Sequence, residues 1–242
     1  MKAGAVLLAA LTASAAAQSA QDGDPITIMY SERPPYMDDS GPMPPQGLTA
    51  TPTAHAFKIA GVSSVWSKIP TNRQLAVVRE GMGKACAVGW FWTAERSRFA
   101  KFTRPIYRDK DWYILTNVDF AARGYKSLGE MLSHKETRVL VKDQYTYGEQ
   151  LDKLMHQYHP TVASSTASTT KMLQSISMGA VDLMFVSEDE GNYLMAHAGE
   201  HAARLRLLHP HDMPRGPERY IMCTREVPDD VITRLNKAIT FR

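Results

Sequence analysis

Ala85-Cys-Ala-Val-Gly-Trp-Phe-Trp-Thr-Ala-Glu-Arg96 holds more structural information than any other stretch of the chain. Its first five residues are small or apolar and end in glycine, which reads as a buried strand over Ala85 to Gly89. Thr93 has the chemistry of a helix cap, and Arg96 then falls one turn in, beside the free N–H groups of a helix start. A guanidinium there offers a planar fork that takes a carboxylate through two parallel hydrogen bonds. The competing place for Arg96 is the surface, paired with Glu95 or Asp109. Alternation along the strand sends Trp90 and Trp92 to one side and Phe91 to the other. Such rings attract a ligand cation, and core packing explains each of them equally well.

Upstream, Ile26-Thr-Ile-Met-Tyr30 reads as a short apolar strand after Pro25. Ser31 to Gln46 has five prolines and a glycine and is loop. Within it, Glu32 and Arg33 form either a solvated pair or, for Arg33, a second anion contact. Ala50 to Ala60 predicts a helix closed by Gly61, and Val62 to Ile69 a second strand. Thr71-Asn-Arg-Gln74 has the spacing of a capping box, followed by Leu75, Val78 and Met82 at helical period. Strand and helix therefore alternate, which argues for a mostly parallel α/β sheet.

Downstream, Asp109-Lys-Asp111 is a polar break before the strand that starts at Trp112. Ser127-Leu-Gly-Glu130 is a second capping box. A strand over Arg138–Lys142, a helix over Tyr147–Tyr158 and a short strand over Thr161–Ser164 follow. Next come a helix over Ser168–Met178 closed by Gly179, a strand over Val181–Val186, and a helix opened by Ser187-x-x-Glu190. His209 to Pro217 is a second polar loop, before a strand over Arg219–Thr224 and a last helix with Val231, Leu235 and Ile239 facing inward. The middle portion reads as one strand-helix set inserted into another. The expected domains are 24–109 with 211–242 as the first lobe and 110–210 as the second, joined by two hinge strands.

Met1-Lys2, an uncharged apolar stretch from Ala3 and Ala15-Ala-Ala17 form the three parts of an export signal over 1–17. The stretch is shorter than the roughly 20 apolar residues needed to span a bilayer. The expected location is therefore the periplasm, with about 225 residues remaining, more than the commonest single-domain size. Without Lys2, 27 basic residues face 25 acidic ones. That near balance offers no field for nucleic acid. Cys86 and Cys223 either bridge in an oxidising compartment or remain as buried thiols. Their spacing is not that of a metal site, and His209-Pro-His211-Asp212 reads as loop. Ser164 to Thr170 contains no Gly-Lys phosphate cradle. No cofactor or metal is expected.

Five features in this order resemble the amino-acid-type periplasmic solute-binding proteins, extracellular family 3. They are Ile26–Tyr30 with Pro35-Tyr36; Gly89; Thr93-Ala-Glu-Arg96; Phe102-Thr-Arg-Pro-Ile-Tyr107; and Val181-Asp182. The resemblance covers the mature chain to about residue 240. It implies a type 2 periplasmic-binding-protein fold that is monomeric, non-enzymatic and closes over a solute for an inner-membrane ABC permease. It implies Arg96 as the carboxylate holder, with Tyr30, Tyr36, Trp90 and Phe91 as ring walls and Thr146 as a second-lobe contact. Ser187 and Glu188 fall where amino-acid binders place an aspartate for the ligand's ammonium. Ser187 is neutral and Phe91 replaces a usual Ser or Thr, so the expected solute is a small carboxylate that departs from a standard α-amino acid. The chain also stops sooner after its last helix than such proteins usually do. Two other readings share the fold: an accessory periplasmic interaction protein, and a dehydratase of cyclic acids with Glu188 or Glu32 as its acid or base.

Overall fold

The computed structural model describes residues 24–241; the export signal expected at 1–17 lies outside them. The chain runs β1 (Ile26–Tyr30), α1 (Ala50–Ile59), β2 (Ser64–Lys68), α2 (Thr71–Glu80), β3 (Ala85–Phe91), α3 (Ala94–Ser97), β4 (Lys101–Phe102) and β5 (Tyr107–Arg108). It continues through β6 (Trp112–Asn117), α4 (Val118–Ala121), α5 (Leu128–Ser133), β7 (Arg138–Lys142), α6 (Glu149–Tyr158), β8 (Thr161–Ser165), α7 (Thr169–Ser177), β9 (Leu183–Ser187), α8 (Glu188–Ala196) and β10 (Leu205–Leu208). β11 (Glu218–Cys223) and α9 (Asp229–Ala238) close it. One sheet has the order β2-β1-β3-β11-β4, with β5 also on β11; the other is β10-β6-β9-β7-β8. The chain thus leaves the first sheet at 109–111 and returns to it at 209–217, making two flanked sheets joined by two crossovers. No helix among the described residues is long and apolar enough to cross a membrane.

Gly89 sets the geometry of the central strand. Its φ is +78°, and a Cβ there would press on the Thr49 hydroxyl at 3.2 Å. The register of β11 against β3 slips at this point, with Tyr220 opposite Trp90 but Ile221 opposite Val88. This extra residue resets the side-chain alternation. Trp90 therefore joins Ala85 and Ala87 against α2, where unbroken alternation would have grouped it with Cys86 and Val88. Phe91 turns toward the second sheet and packs edge-on against Trp112. Trp92 is left half exposed at the strand end.

Cys86 and Cys223 lie opposite each other on β3 and β11 and form a disulfide. Of the three expected capping boxes, none closes reciprocally. Ser127 and Ser187 do cap α5 and α8 through Glu130 N and Glu190 N. Glu130, however, accepts from Lys126 N, and Glu190 reaches across the molecule. Thr71 is no cap at all: Pro70, already fixed near helical φ, takes the cap position, and the Thr71 hydroxyl pairs with Ser31 and Tyr145.

Asp182, part of the Val181-Asp182 motif, proves to be a brace in the second sheet. It accepts from Arg138 N at 2.7 Å and from the Arg138 guanidinium at 2.8 and 3.1 Å, tying the start of β7 to the start of β9. Burial alone would raise its carboxyl, but the Arg138 donors outweigh burial and hold it below the ordinary 3.8. A depressed carboxyl adds stability above its unfolded value and loses it as pH falls through the folded one. Asp182→Asn is expected to cost about 1.5–3 kcal/mol at neutral pH. It should also flatten the dependence of Tm on pH below about 4, as read by calorimetry; an unchanged acid limb would remove Asp182 from this role.

Candidate functional site

Where β3 ends, the Thr93 hydroxyl accepts from Arg96 N and starts α3. The helix is a single turn, and its geometry aims the Arg96 side chain inward. The residue is 8% exposed and its guanidinium lies 4.7 Å from the Trp90 ring. It donates to Phe91 O at 3.0 Å and to Gln144 O, from the second sheet's side, at 3.4 Å. Neither surface partner considered for it is engaged: Glu95 pairs with Arg79, and Asp109 pairs with Arg219. Burial pulls the Arg96 guanidinium below the usual arginine range, with nearby acids offsetting only part of that. Arg96 borders a cavity of about 40 Å³ together with Trp90, Phe91, Gln74, Tyr145 and Thr146. A space of that size holds on the order of three waters.

A second, wider cavity of about 850 Å³ adjoins the first; Ser31, Arg33, Thr71 and Tyr145 border both. It lies between the Ser31–Pro34 loop and the start of α2 on one side, and the end of β7 and the start of α7 on the other. Its floor is apolar, with Met172, Leu173 and Phe185 from the second lobe's core.

Across this cleft the two halves grip each other directly. Arg33 donates to both oxygens of Glu190 at 2.7 and 2.8 Å, and the pair is almost fully buried. Burial works against the Arg33 charge, and Glu190 more than restores it. Arg33 is therefore neither solvated nor paired with Glu32, which instead accepts from Lys68. The Tyr36 hydroxyl meets the Ser187 hydroxyl, and Tyr107 donates to Asp189. Asn72 donates to Asp143 at 2.6 Å.

Between the crossovers, Arg219 donates to both oxygens of Asp109 at 2.6 and 2.7 Å and to Gly89 O at 3.0 Å. Its guanidinium is stacked between the rings of Tyr36, at 3.9 Å, and Phe91, at 4.6 Å. The Gly89 bulge thus has a second consequence, since it presents the carbonyl that Arg219 takes.

The expected site residues fall into two groups. Arg96, Trp90, Phe91 and Thr146 converge on the small cavity. Tyr36 and Ser187 are spent on each other beneath it, and burial pushes the Tyr36 phenol far above its ordinary value. Tyr30 packs on Trp66 and donates to Asp39, away from both cavities. Glu188 lies beside Lys110 at the crossover. The Thr146 hydroxyl donates to Asp152 and accepts from Gly148 N at 3.2 Å. Sequence reasoning passed over Gln74, Thr71 and Arg219. Thr71 and Gln74 have the spacing of a capping box, which explained them as helix-start residues, and Arg219 looks like an ordinary strand residue, so no local signal pointed to the cleft.

No protein-family model matches the chain, and no curated protein is similar to it in sequence. Solved structures are similar throughout its length. An ancestral arginine-binding protein bound to arginine superposes with a TM-score of 0.70 at 17% identity, covering 90% of this chain and 92% of its own. An arginine-transport periplasmic binding protein from Legionella pneumophila gives 0.70 at 16%, covering 89% and 92%. An ancestral amino acid-binding protein, named as a precursor of cyclohexadienyl dehydratase, gives 0.67 at 15%, covering 88% and 87%. The architecture is the two-lobed type 2 periplasmic-binding-protein fold, as the sequence resemblance implied.

Proposed function

We propose that this chain is an exported solute-binding protein that captures a small carboxylate between its lobes and presents it to an inner-membrane ABC importer. The observation that carries this reading is Arg96. A guanidinium that is more than nine-tenths buried, at the junction of two lobes, donates only to backbone carbonyls. A buried charge without a counter-charge is costly. A ligand carboxylate would supply that counter-charge, with two parallel hydrogen bonds. In the resembled family the matching arginine holds the ligand's carboxylate, and the similar solved structures include proteins named for binding arginine and amino acids.

The accessory-protein reading has one observation in its favour. Arg33–Glu190, Tyr36–Ser187 and Asn72–Asp143 join the lobes through the protein's own side chains. One experiment separates the two readings. Protein purified from periplasm is denatured, and the released small molecules are identified by mass spectrometry. Capture predicts a retained carboxylate at near-stoichiometric level. A clean extract, a flat thermal-shift screen over organic acids and stable co-purification of another periplasmic protein would together overturn it.

A further inference from the structure

The ion pairs around the cleft define what a ligand must bring. Glu190 is committed to Arg33, Glu32 to Lys68, and Asp109 to Arg219. Asp189 is held by Lys110 and Tyr107. Asp152 accepts from Thr146 and, at 2.9 Å, from Tyr147 N. Asp143, which lines the wide cavity, is not set on a cation and is taken up by Asn72 and Ser164. Two cations stand on the other side of the balance. Among the described residues, Arg96 has only carbonyl partners, and so does the Lys142 ammonium, which donates to Thr166 O and Ala167 O. Burial lowers Lys142 below the usual lysine range.

Lys142 lies on the second-lobe wall of the wide cavity, and Arg96 at the back of the small one. Two helix starts border the wide cavity as well. α2 begins at Pro70 with no side-chain cap, and α7 begins at Ser168, whose hydroxyl accepts from Lys171 N. The first N–H groups of a helix have no partner within it and favour negative charge. Met172, Leu173 and Phe185 supply apolar lining to the same wide cavity as Lys142.

Building on the carboxylate capture argued above, we infer that the solute is a dicarboxylate without an ammonium group. One carboxylate sits on Arg96, the other sits at Lys142 beside the start of α7, and an apolar spine joins them across the cavity floor. A free amino acid would bring an ammonium, and the one carboxylate lining the wide cavity that is not set on a cation, Asp143, is already taken up by Asn72 and Ser164.

Isothermal titration of the mature protein with succinate, glutarate and adipate, against valerate and glutamate, tests this. At least one dicarboxylate is expected to bind ten-fold or more tighter than both comparators. Lys142→Met, or Lys142→Gln should the first variant fold poorly, is expected to lower that affinity about ten-fold, as for the loss of a charged hydrogen bond. Valerate binding as tightly as the best dicarboxylate overturns the second anionic subsite, and glutamate doing so overturns the exclusion of an ammonium; either result leaves capture on Arg96 intact. If none of the five binds, the dicarboxylate inference falls, and the capture reading is decided separately by the small molecules released from the purified protein.

Discussion

Arg96→Ala lowers affinity for the captured carboxylate by about 2–5 kcal/mol, the range for truncating one partner of a buried, hydrogen-bonded charge pair. At 1.4 kcal/mol per factor of ten, that is at least about a thirty-fold loss. Arg96→Lys should recover only part of it, because an ammonium is a point charge and lacks the planar fork. The empty protein supplies the control. Arg96 there donates to two carbonyls and meets no carboxylate. Removing it takes away an uncompensated buried charge, so the melting temperature of the unliganded variant is expected to hold or rise. Titration calorimetry with the solute recovered from periplasm, beside a thermal melt without it, gives both numbers. Unchanged affinity would take Arg96 out of the site, and a large drop in the empty-state melt would make it a structural residue.

Asp109→Ala shows the opposite pattern, a large loss of stability in the empty protein. Arg219 and Asp109 have side chains 4% and 0% exposed and are joined by two short hydrogen bonds. Removing the carboxylate strands a guanidinium between two rings, and breaking such a pair costs about 3–5 kcal/mol. Replacing both partners with apolar residues of similar volume, Asp109→Leu with Arg219→Met, is expected to restore most of that. The charge would then be gone, with the Gly89 carbonyl as the remaining unpaired group. Urea unfolding of the single and double variants decides the matter. A double variant no more stable than the single would show that the pair is needed for packing rather than for charge balance.

The contrast between these two arginines shows how far sequence could go. The alternation of strand and helix and the cap at Thr93 are local patterns, and each could be read directly. That cap put Arg96 one turn into a helix, while its inward direction rested on the family resemblance. Trp90 and Phe91 take opposite sides, as alternation requires, but Gly89 gives no sign in the sequence that it adds a residue and moves Trp90 to the side of Ala85 and Ala87. Arg219 looked like a neighbour of Tyr220 in an ordinary strand, since its partner is 110 residues away. Arg33 was weighed against the adjacent Glu32, but its partner Glu190 is 157 positions on. Long-range ion pairs leave no periodicity, so charge partners in the cleft could be found only by folding the chain. Element ends were displaced by a residue or two where caps differ, as when α6 begins at Glu149 after Gly148, whose φ is +90°.

The disulfide between Cys86 and Cys223 lies outside the cleft but governs what a protease can achieve. It closes a ring 137 residues around, and the whole inserted lobe hangs inside that ring. A single cut anywhere in the inserted lobe would leave both pieces in one covalent particle, running intact on a gel until a thiol is added. The inserted lobe therefore cannot be shed by one nick, however exposed its loops.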